Sequence, residues 1–167
     1  MTRSSVLRIL VQLSRFGLAA LFLFTAGAKL AIIKEFASNV AQLVAASGFD
    51  YVRWMWPATI AVIVAELITA ALLLVPRTVR LGALCAGVIL IGFAGFALYY
   101  VYVLHGEPLE CGCFGKIIGS QLGVNTALRN LALLLPVLIA FFGFRRTRTE
   151  SAAPAIQAEQ SFHHQGS

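Results

Sequence analysis

The chain has 167 residues, of which 59% are hydrophobic and 12% charged, and its mean hydropathy is +0.85. A soluble domain carries about 25% charged residues, so this chain has too little polar surface to cover a water-soluble globule and lipid is its expected solvent. The net charge of +6 is not gathered into one patch but sits at the ends of apolar runs, which excludes a nucleic-acid face and matches the way charge flanks membrane spans.

A membrane-crossing helix needs about 20 mostly apolar residues. On that basis the sequence predicts an all-α, membrane-embedded four-helix transmembrane bundle with a short interfacial helix. The bundle occupies residues 1–148, with spans at about 9–33, 55–75, 81–104 and 124–144, and residues 149–167 form a disordered cytoplasmic tail. Within the first span, Phe16 to Ile33 is interrupted only by Lys29. A second reading of this stretch exists. Arg3 and Arg8 precede apolar sequence ending Ala26-Gly27-Ala28, which resembles a signal-peptide cleavage site, and cleavage would leave three spans. The apolar run continues past that point to Ile33, which favours retention.

Lys34 to Trp54 joins the first two spans. Phe36, Val40, Leu43 and Val44 recur there at helical spacing, which predicts a short amphipathic helix, interfacial or packed over the bundle end. Gly48-Phe49-Asp50 ends it, and Trp54 and Trp56 fall where an aromatic belt belongs. Met55 to Val75 is apolar except for Glu66 and two threonines, and Leu81 to Leu104 holds no charge. Pro76 to Arg80 is a tight turn between them. The last span opens with Arg129 and Asn130 and contains Pro136, tolerable where neighbours satisfy the freed carbonyl. Gly27 is a candidate point of close helix approach.

Orientation follows from the basic residues. With both termini cytoplasmic, the inner side holds Arg3, Arg8, Arg15, Arg77, Arg80, Arg145, Arg146 and Arg148. The outer side holds Lys29, Lys34, Arg53, Lys116 and Arg129. The excess inside favours this arrangement. It puts the connection from His105 to Gly123, with Cys111 and Cys113, on the outer face of a bacterial cytoplasmic membrane.

That face permits disulfides, whereas the cytosol does not. Cys111-Gly112-Cys113 is therefore a candidate dithiol/disulfide pair. An extended i, i+2 pair sits near the upper limit of disulfide reach, so the backbone must bend, and Gly112 allows it. A bridge closing so small a loop is expected to be strained and labile. Lys116, and Arg129 if close in space, would favour the thiolate, and Glu110 would oppose it. The other readings are a structural bridge, idle thiols, or soft-metal binding by the thiolates. With no further Cys or His cluster beyond His105, a closed metal site is not expected, and His163 and His164 are read as incidental to the tail. Cys85 lies about 28 Å from the loop along its helix and is read as a buried small hydrophobe.

Glu66, near the centre of the second span, is costly in lipid and marks a candidate functional site. Lys29 and Arg129 are its candidate partners, and a structural ion pair joining helices is the alternative. Lys29, Glu66, Arg129 and Asn130 together form a candidate intramembrane polar site.

Cys111-Gly112-Cys113-Phe114-Gly115, the Arg129-Asn130 pair, the Gly27-x-Lys29 element and Glu66 together resemble the methylamine-utilisation protein MauE family, itself related to DoxX-like membrane proteins. The resemblance covers roughly residues 10–144. It implies a four-helix membrane protein that assists maturation of the disulfide-rich small subunit of methylamine dehydrogenase, alongside a thioredoxin-like partner. Carried over, Cys111 and Cys113 would be the redox pair. By analogy with other four-helix disulfide-generating membrane proteins, a quinone between the spans near Lys29, Glu66 and Arg129 is a candidate electron carrier. Two other functions stay open: a non-enzymatic assembly or chaperone subunit with a structural Cys111–Cys113 bridge, and a small transporter built on Glu66.

The orientation makes a direct prediction. After reduction of intact cells, a membrane-impermeant thiol reagent should label Cys111 and Cys113 from outside. Labelling only in inverted vesicles would reverse the topology.

Overall fold

A computed structural model of the protein describes residues 3–103 and 124–143, and every regular element among them is helical. The elements are α1 (Arg3–Ala31), α2 (Ile33–Ala46), α3 (Tyr51–Leu74), α4 (Val79–Tyr102) and α5 (Val124–Ala132), followed by α6 over residues 134–143. Four stretches are long and apolar enough to cross a membrane: Ser5–Ala31, Tyr51–Leu74, Val79–Tyr102 and Val124–Gly143. The Cys111–Cys113 segment, His105, Lys116, residues 145–148 and the tail over 149–167 lie outside the described residues.

The four spans run antiparallel in chain order around one core. Leu18, Ala19 and Phe22 of α1 meet Ala70 and Leu73 of α3, Ala83, Ala86 and Leu90 of α4, and Val137 and Ala140 of α6. The outward positions are as apolar as the inward ones: Leu67, Ile68, Leu84, Val88, Ile91, Leu135 and Leu138 are all exposed. Lipid tails solvate such residues as well as a core does, so close packing rather than hydrophobic burial must hold the helices together.

The turn end of the bundle shows that packing. Pro76 stops α3, leaving its last carbonyls without helical donors. Thr78 Oγ1 donates to Leu72 O at 2.9 Å, Arg15 Nε donates to Leu73 O at 2.6 Å, and Arg15 Nη2 donates to Leu74 O. A cation at a helix C-terminus also suits the macrodipole. Arg15, read from sequence only as a topology charge, is thus buried and clamps α1 to the end of α3.

Close approach occurs at Gly82, not at Gly27. A Cβ on Gly82 would lie 2.8 Å from Leu73 N and 2.9 Å from Leu72 C, whereas nothing stands within 4 Å of one on Gly27. Gly27 faces outward from α1, which corrects the expectation for it. Cys85 is half-buried rather than buried, and it is a free thiol.

At the opposite end α1 breaks at Ile32, and α2 lies against α3, with Phe36 and Val40 packed on Ile63 and with Val44 beside them. This is the amphipathic helix expected from the sequence, seated on the bundle. Its C-terminus closes with Gly48 N donating to Ala45 O and Phe49 N to Val44 O. That arrangement requires the left-handed backbone Gly48 supplies at φ 80°. α3 then starts at Tyr51, earlier than the expected 55, because the Asp50 carboxylate accepts from Val52 N at 3.0 Å and caps the helix.

The last span is not one continuous helix. The chain turns at Leu133 between α5 and α6. Pro136 has no N–H to give the Ala132 carbonyl, and its ring crowds the preceding turn.

Gly82→Ala should destabilise the protein by about 1–3 kcal/mol, because the α3 backbone cannot yield as a side chain can. Gly27→Ala should be neutral or slightly stabilising, since alanine is the better helix former. Thermal unfolding of the two purified variants in detergent checks both.

Candidate functional site

Lys29 and Glu66 form the centre of the site. Lys29 Nζ stands 2.7 Å from Glu66 Oε1 and 2.9 Å from Oε2. Both groups are buried, Lys29 at 0% exposure and Glu66 at 2%. Of the two candidate cations for Glu66, Lys29 therefore supplies the contact, and it spans both carboxylate oxygens.

The local reasons are in the helices. A helical side chain leans toward its own N-terminus. Lys29 thus reaches back along α1 toward Thr25, one turn earlier, and Glu66 leans up α3 to meet it. Thr25 is buried beside the carboxylate. Its hydroxyl has one proton, which it gives to the Phe22 carbonyl at 3.1 Å or to Glu66. Two rings close the remaining sides: Lys29 Nζ lies 5.6 Å from the centroid of Phe36 of α2 and 6.0 Å from that of Phe93 of α4. Each ring face attracts the ammonium by about 0.5–2 kcal/mol. Four elements thus meet around one charge.

Sequence reasoning named Lys29 and Glu66 but missed this surround. Thr25 carried a signal, being one helical turn from Lys29 on the same face. Phe36 was legible as an apolar face position of α2 and not as a cation partner. Phe93 carried no signal in its uniformly apolar helix.

Arg129 and Asn130 open the last span. Ala127 packs against Ala94 and Ala97 of α4. Asn130 follows Ala127 by one turn on the same buried face, about 4.5 Å deeper, which brings it level with Phe93. Asn130 is 6% exposed. Arg129 is half-buried, with its Nε and Nη2 inside the protein. The four expected intramembrane residues therefore occupy one tier, arranged as a Lys29–Glu66 pair on one side of α4 and Arg129-Asn130 on α5. Thr59 and Thr126 are buried in the same half of the bundle, whereas Thr69 is buried toward the core around Leu18, Leu73, Ala83 and Ala140. Cys111 and Cys113 lie outside the described residues. The positions that flank their segment are Val103, just after α4, and Val124, which begins α5, at the polar end of the bundle.

Breaking the pair should be costly and deleting it cheap. Glu66→Leu or Lys29→Met alone is expected to destabilise the protein by about 3–5 kcal/mol, because an uncompensated charge stays buried. Lys29→Met with Glu66→Leu should recover most of that loss. A double-mutant cycle of unfolding free energies in detergent measures the coupling, and additive losses would mean that the two groups do not act as a pair.

The family model described as methylamine utilisation protein MauE matches residues 7–143 of the chain. No curated protein and no solved structure matches it. With four membrane-crossing stretches, a buried Lys29–Glu66 pair between the first two and a family match running almost from end to end, the chain belongs to the MauE family of membrane proteins associated with methylamine utilisation.

Proposed function

We propose that the protein is a membrane thiol–disulfide exchange protein that assists maturation of exported, disulfide-containing proteins. Cys111 and Cys113 exchange with a thioredoxin-like partner on the outer face, with both termini cytoplasmic. The observation that carries this reading is the family match over residues 7–143, which takes in the Cys-Gly-Cys segment. The disulfide-rich small subunit of methylamine dehydrogenase is the client that the family suggests.

The exchange balances without another reagent. A thiolate of the partner attacks one sulfur of the Cys111–Cys113 disulfide, and the other sulfur leaves as a thiolate. The partner's second thiol, as its thiolate, then displaces the first cysteine. One disulfide breaks and one forms, and two electrons pass from the partner to the cysteine pair. The reverse sequence reduces the partner. The one-residue spacing favours the oxidising direction, since a strained bridge is the better oxidant.

The polar tier supports a structural role for Glu66 in this scheme. Lys29 engages both carboxylate oxygens, and the Leu18–Leu73–Ala83 core lies between the pair and the turn end. The first of these, a carboxylate already saturated by Lys29, argues against an ion pathway through Glu66. Phe36 and Phe93, whose rings already stand beside Lys29, argue against a quinone at the pair.

Cys111→Ser should abolish maturation of the client and trap a mixed disulfide through Cys113, visible as a reductant-sensitive band on non-reducing gels. Full client maturation in cells carrying only that variant would refute the exchange reading and favour an assembly subunit.

A further inference from the structure

The inward face of α3 is buried along its length except at its start. Val52, Thr59, Glu66 and Leu73 follow one another at seven-residue spacing, which keeps them on one face of the helix. Thr59, Glu66 and Leu73 are 0%, 2% and 0% exposed, whereas Val52 is 71% exposed. The neighbouring row repeats the pattern: Ile63 and Ala70 are 4% and 0% exposed, and Trp56 is 45% exposed. Two inward rows thus run out of the bundle and end in uncovered apolar side chains at its polar end.

Lipid does not account for this exposure. At 1.5 Å per residue, a hydrocarbon layer about 30 Å deep is crossed by about 20 residues of helix. Counted from Leu74, the end of α3, that distance reaches Trp54 and leaves Val52 beyond the hydrocarbon. Trp54 is exposed and turned about 140° from Thr59 around the helix, so it faces outward as a belt residue does. Val52 instead faces the bundle axis, over its mouth. Val103, from which the Cys111–Cys113 segment departs, stands at the same height. Gly82 of α4 abuts Leu73 of α3, and an equal number of residues on from that contact along the two antiparallel helices lie Val103 and Val52.

We propose that Val52 and Trp56 form the docking surface for the exported protein that exchanges with Cys111 and Cys113, a folded protein with an apolar surface around its reactive sulfur. The inference rests on the exchange reading above, and chain length ties the two together. Cys111 follows Val103 by eight residues, which span at most about 28 Å. A sulfur bonded to Cys111 is held inside that radius, and a folded domain, with a radius of gyration of about 13 Å, then overlies the mouth. The composition of the patch suits this occupant. Asp50 is engaged in capping α3, and Arg53 is turned about 120° from Thr59, so the inward patch carries no charge. Interface centres are depleted of charge and anchored by tryptophan.

The mixed disulfide of Cys111→Ser isolates the partner, and mass spectrometry of that band identifies it. The purified partner, reduced, is then titrated against the oxidised full-length protein in detergent. Val52→Glu should raise the KM for the partner about tenfold, the loss of one anchoring contact. The maximal rate and the rate of reduction by dithiothreitol should stay as they are. Trp54→Ala, on the outward side, should leave the KM unchanged. Val52→Glu keeps the backbone N–H that Asp50 accepts from and sets a carboxylate at a helix N-terminus, where the dipole favours it. Should it fail to fold, Val52→Ser takes its place. An unchanged KM would overturn the docking site and leave the exchange reading intact. A changed dithiothreitol rate would overturn it too, by showing that Val52 seats this chain's own cysteine segment. An equal loss in Trp54→Ala would assign the surface to the membrane instead. The absence of any mixed disulfide in Cys111→Ser, with full client maturation, is the failure of the exchange reading itself, and the docking site falls with it.

Discussion

A carboxylate and an ammonium buried in a bilayer must find each other, and the Lys29–Glu66 contact is the constraint around which this bundle is arranged. Each charge alone at the centre of a membrane helix costs about 2.5–3.5 kcal/mol on insertion scales and more in hydrocarbon. Paired at 2.7 and 2.9 Å, they become tolerable only in one rotation of α1 against α3. The apolar residues of these helices would accept many rotations, because lipid and core are alike to them. The pair removes that freedom. It also draws in α2 and α4 through Phe36 and Phe93, so the register of one contact reaches four elements.

The interior is divided along its length. The half near α2 holds Thr25, Lys29, Thr59, Glu66, Thr126 and Asn130, and the half near the α3–α4 turn is built mostly from Leu, Ala, Val and Phe, with Thr69 and Arg15 as its buried polar residues. The apolar half is packed to backbone contact at Gly82 and locked by Arg15 on the last carbonyls of α3. Rigidity at one end and buried polarity at the other suit a protein whose chemistry is at one membrane face. The ends of α4 and α5 that flank the Cys111–Cys113 segment stand at the polar end. An exchange reaction there would be carried on a frame fixed by the ion pair, with no need for the pair to take part.

Asn130 completes the tier. Its side chain and the Pro136 break occur within six residues on the same span. Neither improves the packing of an ordinary membrane helix, and both expose hydrogen-bonding capacity to an apolar setting. Features that weaken a local rule without a local gain are where function is expected to be found.

Much of this was legible in the chain itself. Span number followed from apolar run length against a fixed bilayer thickness, and the polar exceptions Lys29, Glu66, Arg129 and Asn130 stood out because lipid makes them expensive. The amphipathic face of α2 and its stop at Gly48 were readable from spacing and backbone freedom. The sequence was silent on how the helices face one another. α3 and α4 are apolar all round, so no periodicity marks the inward side. That is why Gly27 looked like a contact and Gly82 did not, and why Cys85 was expected to be buried. The choice of Lys29 over Arg129 as the partner of Glu66, the role of Arg15 on carbonyls 58 and 59 residues away, and the place of Phe93 beside an ammonium depended on register between helices. Run length and charge cost act within one segment and can be read there; register is a property of pairs of segments, and only the tertiary structure decides it.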